Sequence, residues 1–302
     1  MDGYKYYLFY MQFAGWIMDL HLTTLMQFVP LFPVFGGYCT GILTKVFRVD
    51  DSIQTTLTAF TICHVASALN SCFIRKHQAI SKISHTLQLS TIMYAIVMFG
   101  LNIFPTIAST FLYLSMLNKP NQMSLIIEMY PNLIEHFRML PNYIVFDANF
   151  WAITTFAFIF FGCTYSVVLI ATTTWHMFHI LENNRKHIST SNYSKHRATL
   201  RSLLAQFTAC FLIIGPASLF SFLVVIRYEH CQVATHWCIV GLTLHSSANA
   251  IVMIITYPPY RNYVMLWKKK RTYSFSTVNR SFDNKISRIG NSSRFPTGTN
   301  FT

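Results

Sequence analysis

Six stretches of the chain are each apolar over the length a helix needs to cross a bilayer, about 20 residues. They run over about 6–30, 53–74, 87–113, 149–176, 203–226 and 237–257. Lipid offers no hydrogen bonds, so a spanning segment must satisfy its backbone internally, and an open chain does this as a helix. The expectation is therefore an all-α integral membrane protein, with a bundle over 1–270. Composition agrees: 53% of residues are hydrophobic and 11% charged, against about 25% charged in soluble domains. The stretch over 53–74 is the least apolar, being rich in Thr, Ser and Ala, which suits packing against other membrane helices.

The distribution of positive charge orients the bundle. Lys5, then Arg75, Lys76 and Lys82, then Arg185, Lys186, Lys195, Arg197 and Arg201, and finally nine Lys/Arg after Pro259 fall in alternate connections. The intervening connections hold Lys45, Arg48, Lys119, Arg138 and Arg227. The excess of Lys and Arg marks the cytoplasmic side. Both termini are thus expected in the cytoplasm, with an even number of spans. The net charge of +13 is spread over short connections rather than one face, which argues against nucleic acid. The N-x-[ST] sequons at Asn192, Asn279, Asn291 and Asn300 all fall on the expected cytoplasmic side and read as chance matches.

The last span ends in "YPPYRNYVMLWKKKR". Proline cannot continue a helix without losing a hydrogen bond, and the aromatics and lysines that follow suit a helix lying on the membrane surface. Beyond it, 271–302 is polar and rich in Ser, Thr and Asn, and is expected to be a disordered tail.

No H-E-x-x-H, G-x-S-x-G or P-loop pattern occurs, and none of the seven cysteines forms a C-x-x-C pair. No enzyme and no cofactor is expected. The first apolar run is too long for a leader and carries Asp19. His176 and His179 share a helical face at a helix end, a position that suits a solvated cap better than a metal. His64 and Asn102 interrupt apolar runs and read as interhelical hydrogen-bonding groups. Pro105 and Pro216 are expected kinks.

Three stretches, "MDLHLTTLMQFVPLFPVFGGYCTG", "CFIRKHQAI" and "PPYR", together resemble the nematode serpentine chemoreceptors of the Str superfamily, class I (Sri) first and class H (Srh) next. The resemblance implies a seven-transmembrane-receptor-like helical bundle. It also implies a G-protein-coupled chemosensory receptor for a small environmental ligand at the plasma membrane, in sensory-neuron cilia. The family places the D-x-H-x-T and LFP…GGY stretches in its second span. Here they fall in the first, so the chain is expected to lack the family's first helix. The alternatives are a nonfunctional truncated receptor, or a transporter or channel. The acidic-Arg-Tyr triplet of rhodopsin-type receptors is absent, with "FIRKH" in its place, and a Cys39–Cys231 pair stays open.

Intramembrane acids are costly and usually functional. Asp19 lies about 20 Å along its segment from Tyr6, and His245 about 18 Å back from Tyr257. The two are thus expected to lie level, with Asn249 a turn away, as a polar relay. Ligand contacts are expected at Trp151, Phe156, Trp237 and Thr243, with His245 as the floor. The G protein is expected to face Arg75, Lys76, Arg197, Arg201 and Arg261, and membrane lipid is the remaining partner.

Overall fold

The computed structural model describes residues 3–31, 34–84, 86–140, 142–147, 149–225, 231–257 and 260–264. Side chains at 83, 213–225, 231–232, 234–236 and 246 are outside the description. The chain forms two compact units, Met1–Met253 and Ile254–Thr302. The second is described only over its first residues, where the Tyr257 and Tyr260 rings lie 5.5 Å apart. The surface helix expected after Pro259 is described only over 260–264, which are helical; its remainder and the tail over 271–302 fall outside the described residues.

The first unit opens with α1 (Tyr4–Leu20), which runs on as a wider π-helical segment, His21–Met26. The helix expected over 6–30 stops there. Gln27 takes a left-handed φ of 49°, and Phe28–Pro30 is strand β1. An apolar run does not measure helix length here, because the last residues satisfy their backbone in a sheet rather than in a helix. Pro30 fits an edge strand, which has ladder positions needing no N–H donor.

Strand β2 (Gly36–Cys39) is central, antiparallel to β1 on one side and to β3 (Ile144–Val145) on the other. Val29 pairs with Tyr38, and Gly37 with Ile144. The two glycines of "GGY" explain the closeness of this approach. A Cβ on Gly36 would collide with the Ile144 carbonyl, and one on Gly37 with the Val29 carbonyl and the Phe28 ring. The sheet ties the connection after α1 to the connection before α7, so both lie at one end of the bundle. Short helices α2 (Ile42–Lys45), α5 (Lys119–Met129) and α6 (Ile134–Met139) complete this end. Val34, Ile126, Phe137 and Val145 form its small core.

The long helices are α3 (Asp51–Ser84), α4 (Thr91–Leu114), α7 (Phe150–Asn183), α8 (Thr190–Val225) and α9 (Cys231–Thr256). Side-chain caps start two of them: Ser90 Oγ accepts from the Met93 N–H and Asn149 Oδ1 from the Ala152 N–H. Helix α3 packs against α1, α4 and α7. Its most apolar stretch is 61% buried, against 17% for α4 and 11% for α7, so α3 is the axis. Its buried Ser67, Asn70 and Ser71 explain its low apolarity: small polar side chains allow close packing between helices. Asn70 Nδ2 donates to Ser166 Oγ on α7 at 2.8 Å. The α4 and α7 faces turned away from it carry exposed Ile92, Ile96, Phe99, Phe160, Phe161 and Val168, a surface suited to lipid rather than water.

Among the described residues, α3, α4 and α7 are long and apolar enough to cross a membrane, and Trp237–His245 with Ser247–Thr256, bent by 47°, makes a fourth such segment. Helices α3, α7 and α8 continue past the expected lipid boundaries into the basic connections. Apolarity ends where lipid ends, whereas a helix ends only where its hydrogen bonds do. Pro105 lies buried within α4, which continues through it. Helix α8 likewise runs through position 216.

Replacing Gly36 by Val should cost more than the about 1–3 kcal/mol typical of overpacking, because the obstacle is backbone. Gly100→Val on α4, where nothing lies within 4 Å, should be tolerated. Thermal unfolding of the two purified variants checks the contrast.

Candidate functional site

Polar side chains gather at three levels of the first unit. At the sheet end, His21 is almost wholly buried. Its Nε2 sits 3.1 Å from the Gln54 carbonyl oxygen and 3.0 Å from Thr58 Oγ1, so the π-helical segment is hooked to the first turns of α3. Buried Asp51 accepts from the Cys39 N–H at 3.4 Å, and Gln54 Nε2 donates to Thr44 Oγ1 and to the Val49 carbonyl. Burial, and then the neighbouring Asp51 carboxylate, push the Cys39 thiol well up. Cys39 is free, so the open Cys39–Cys231 pairing is not made.

At mid-bundle, Tyr10 joins the two polar interruptions. Its hydroxyl lies 2.8 Å from His64 Nε2 and donates to Asn102 Oδ1 at 3.2 Å. One tyrosine of α1 therefore links α3 and α4, and His64 and Asn102 act as interhelical groups. Nothing in the sequence distinguished Tyr10 from the chain's other tyrosines.

At the opposite end, Tyr7 and Tyr94 hydroxyls meet at 2.9 Å, with the Arg75 guanidinium 5.9 Å above the Tyr7 ring. Lys76 is 3% exposed, lies 5.1 Å above the Tyr4 ring and contacts His196 Nδ1 at 3.3 Å. Lys76 was expected on the surface facing a G protein. It is instead buried between α1 and α8, because its long stem packs while aromatic and imidazole groups take the ammonium. Arg197, Arg201 and Arg261 are exposed, and Arg75 is half-buried. His77 Nε2 and His176 Nδ1 lie 2.8 Å apart. His176 and His179 part company: His179 stacks on Trp175 and contacts Asn183.

The expected ligand contacts disperse. Trp151 packs on Phe111 and Phe150 and is 38% exposed. Phe156 lies 5.9 Å from Phe35 of the sheet end, which in turn packs on Phe146. Trp237 is 71% exposed and faces away from the bundle. Thr243 gives its hydroxyl to the Val240 carbonyl of its own helix. His245 and Asn249 are both buried on one face of α9. Neither His245 ring nitrogen has a hydrogen-bond partner, nor has Asn249 Oδ1. His245 therefore makes no direct hydrogen bond to Asp19, which has interactions of its own. Equal depth along two helices fixes height but not rotation, and rotation decides contact. Among the described residues no three His, Cys, Asp or Glu side chains gather as a metal site.

Burial, with the Lys76 charge next, lowers the His196 pKa to about 4, so at neutral pH His196 is neutral and accepts from Lys76. A histidine whose folded pKa lies below its unfolded one gives stability that is present above about pH 6.5 and lost as pH falls toward about 4. The melting temperature of the full chain should fall across that window. His196→Gln should flatten this fall by a few degrees, which a pH series of thermal melts on both proteins measures.

In a comparison with protein families, residues 1–264 match the serpentine type 7TM GPCR chemoreceptor Sri. Comparisons with curated proteins and with solved structures gave no match. The family is one of receptors rather than enzymes, and its match together with the membrane-capable helices makes this an integral membrane protein. The chain belongs to the Sri family of serpentine type seven-transmembrane G-protein-coupled chemoreceptors.

Proposed function

We propose that the chain is a chemosensory receptor that binds a small molecule within the bundle and signals through a heterotrimeric G protein at the cytoplasmic face of the plasma membrane. The observation that carries the site is the unpartnered pair on α9. Buried polar atoms are nearly always hydrogen-bonded, and leaving one unmade costs about 1–3 kcal/mol. Both His245 ring nitrogens and the Asn249 carbonyl oxygen are buried without partners. A ligand with a hydroxyl, carbonyl or amine would complete them. Trp151 and Phe156 supply aromatic surface further toward the sheet end; Trp237 is withdrawn as a contact.

The cytoplasmic assignment of the Arg75 end rests on the charge distribution in the sequence. It is supported by the grouping of Tyr7, Arg75, Tyr94, His176 and His196 at the end opposite the sheet. The G-protein-facing residues are then Arg75, Arg197, Arg201 and Arg261.

Cells expressing the chain with a calcium or cAMP reporter should respond to some members of a panel of small odorants. His245→Ala should weaken the response at least about tenfold, the loss expected for one buried hydrogen bond, at equal surface level. An unchanged response in that variant would remove His245 from the site. An epitope tag at the N-terminus should stain only after permeabilisation; staining of intact cells would reverse the orientation.

A further inference from the structure

Two hollows meet where the end of α7 faces the beginning of α8. One, of about 320 Å³, has an apolar wall of Trp175, Phe178 and Leu181. The other, of about 430 Å³, is lined by Arg185, Arg197 and Arg201 with Thr190 and Ser194. Tyr193 and Arg197 line both.

The second hollow is built around positive charge. The Tyr193 ring has the Arg185 guanidinium 5.7 Å from its centre and that of Arg197 at 5.9 Å. Its hydroxyl donates to Glu182 Oε2 at 3.0 Å, which holds the ring in place, and Glu182 also pairs with Arg185 at 3.5 Å. Glu182 is thus engaged by Tyr193 and Arg185, while Arg201 lines the same hollow as Arg185 and Arg197. Arg197 and Arg201 are a turn apart on α8, an arrangement of like charges that weakens a helix, and no acid occurs between Asn183 and Tyr228 to offset it. Thr190 and Ser194 belong to the first turns of a 36-residue helix, whose dipole adds positive potential there.

The first hollow indicates what kind of anion fits. Trp175 is 71% exposed and lies about 38 Å along α7 from Phe150. With a hydrocarbon core about 30 Å thick, that is the headgroup layer, where tryptophan is favoured. Arg201 lies just before the apolar part of α8. From there Arg197 stands about 6 Å, and Tyr193 about 12 Å, further from the lipid. The groove begins on apolar surface at the membrane edge and continues outward past cations at successive heights.

We propose that this groove binds an inositol phospholipid bearing more than one ring phosphate. The acyl-proximal part lies against Trp175 and Phe178, the bridging phosphate is near Arg201, and the ring phosphates lie on Arg197 and Arg185 beside Tyr193. Arginine suits phosphate because its planar fork donates two parallel hydrogen bonds. A headgroup with one phosphate would leave the outer cations unmatched. The inference rests on the cytoplasmic placement of this end, where such lipids would meet it. It places lipid on Arg197 and Arg201, which the receptor reading gave to the G protein, and the variants below separate the two.

The test uses the full chain in nanodiscs of phosphatidylcholine alone, or with added phosphatidylinositol bisphosphate, or with phosphatidylserine at matched charge. Native mass spectrometry and thermal shift read retention and stabilisation. The bisphosphate lipid should be retained and should stabilise the protein more than phosphatidylserine does. The double variant R197Q/R201Q should lose this affinity by about tenfold or more, with an unchanged melt in phosphatidylcholine alone to show that it folds. K45Q/K119Q, at the sheet end, should behave as the unsubstituted chain. Trp175→Ala should weaken the lipid but not soluble inositol trisphosphate.

Undiminished lipid binding in R197Q/R201Q overturns the proposal. Equal stabilisation by phosphatidylserine reduces the groove to general charge attraction and overturns it as well. Soluble inositol trisphosphate bound as tightly as the lipid makes it a free-anion site. Loss of G-protein activation with lipid binding intact gives the arginines to the G protein. Lipid binding needs no odorant response, so its failure leaves the receptor reading untouched, and a silent receptor that binds the lipid leaves the groove standing.

Discussion

The bundle depends on α3 being less apolar than its neighbours. In lipid, no gain from dewetting draws one apolar helix to another, so association rests on close packing and interhelical hydrogen bonds. Helix α3 supplies both. Ala68, Ser67 and Ser71 are small and buried, allowing near approach, while Asn70 and His64 reach Ser166 and Tyr10 on the helices either side. Helices α4 and α7, richer in large apolar residues, keep most of that surface on the outside, where lipid takes it. The most apolar helices are therefore the least buried ones, the reverse of a soluble core.

The two ends solve different problems. At the sheet end the chain leaves the helical regime, and its backbone groups pair across three short strands. Two glycines allow that pairing, and His21 with Gln54 locks it to the top of α3. At the other end, helices project past the lipid and carry the cations. Aromatic rings and neutral imidazoles take much of that charge there: Arg75 on Tyr7, Lys76 on Tyr4 and His196, and Arg185 and Arg197 on Tyr193. Carboxylates take little of it, as the chain has only ten Asp and Glu against 23 Lys and Arg. Lys76 is buried in that arrangement, whereas Arg197 stays exposed.

The D-x-H-x-T and LFP…GGY stretches carried the family resemblance, and the structure gives their residues physical work: His21 hooks, Gly36 and Gly37 let strands approach. The functional residues were less legible. Lys76 reads in sequence like any cation of a basic connection, yet the turn of α3 points it inward. Trp237 reads as an aromatic of a binding cavity, yet α9 turns it outward. Tyr10 and Tyr193 carried no mark at all, because a bridging tyrosine is defined by what lies opposite it.

By itself the sequence determined the solvent. Hydropathy over about 20 residues and the placement of Lys and Arg are local properties, and a bilayer acts on them locally. The long helices followed from such signals, and the family resemblance from short motifs. The tertiary structure decided where helices stop, which faces meet, and which polar groups find partners. A helix ends when its last carbonyls find other donors, as at Gln27. A side chain is buried or exposed according to the rotation of its helix, about 100° per residue, which no hydropathy count records. That rotation left both His245 ring nitrogens and the Asn249 carbonyl oxygen inside without partners and set two arginines over Tyr193.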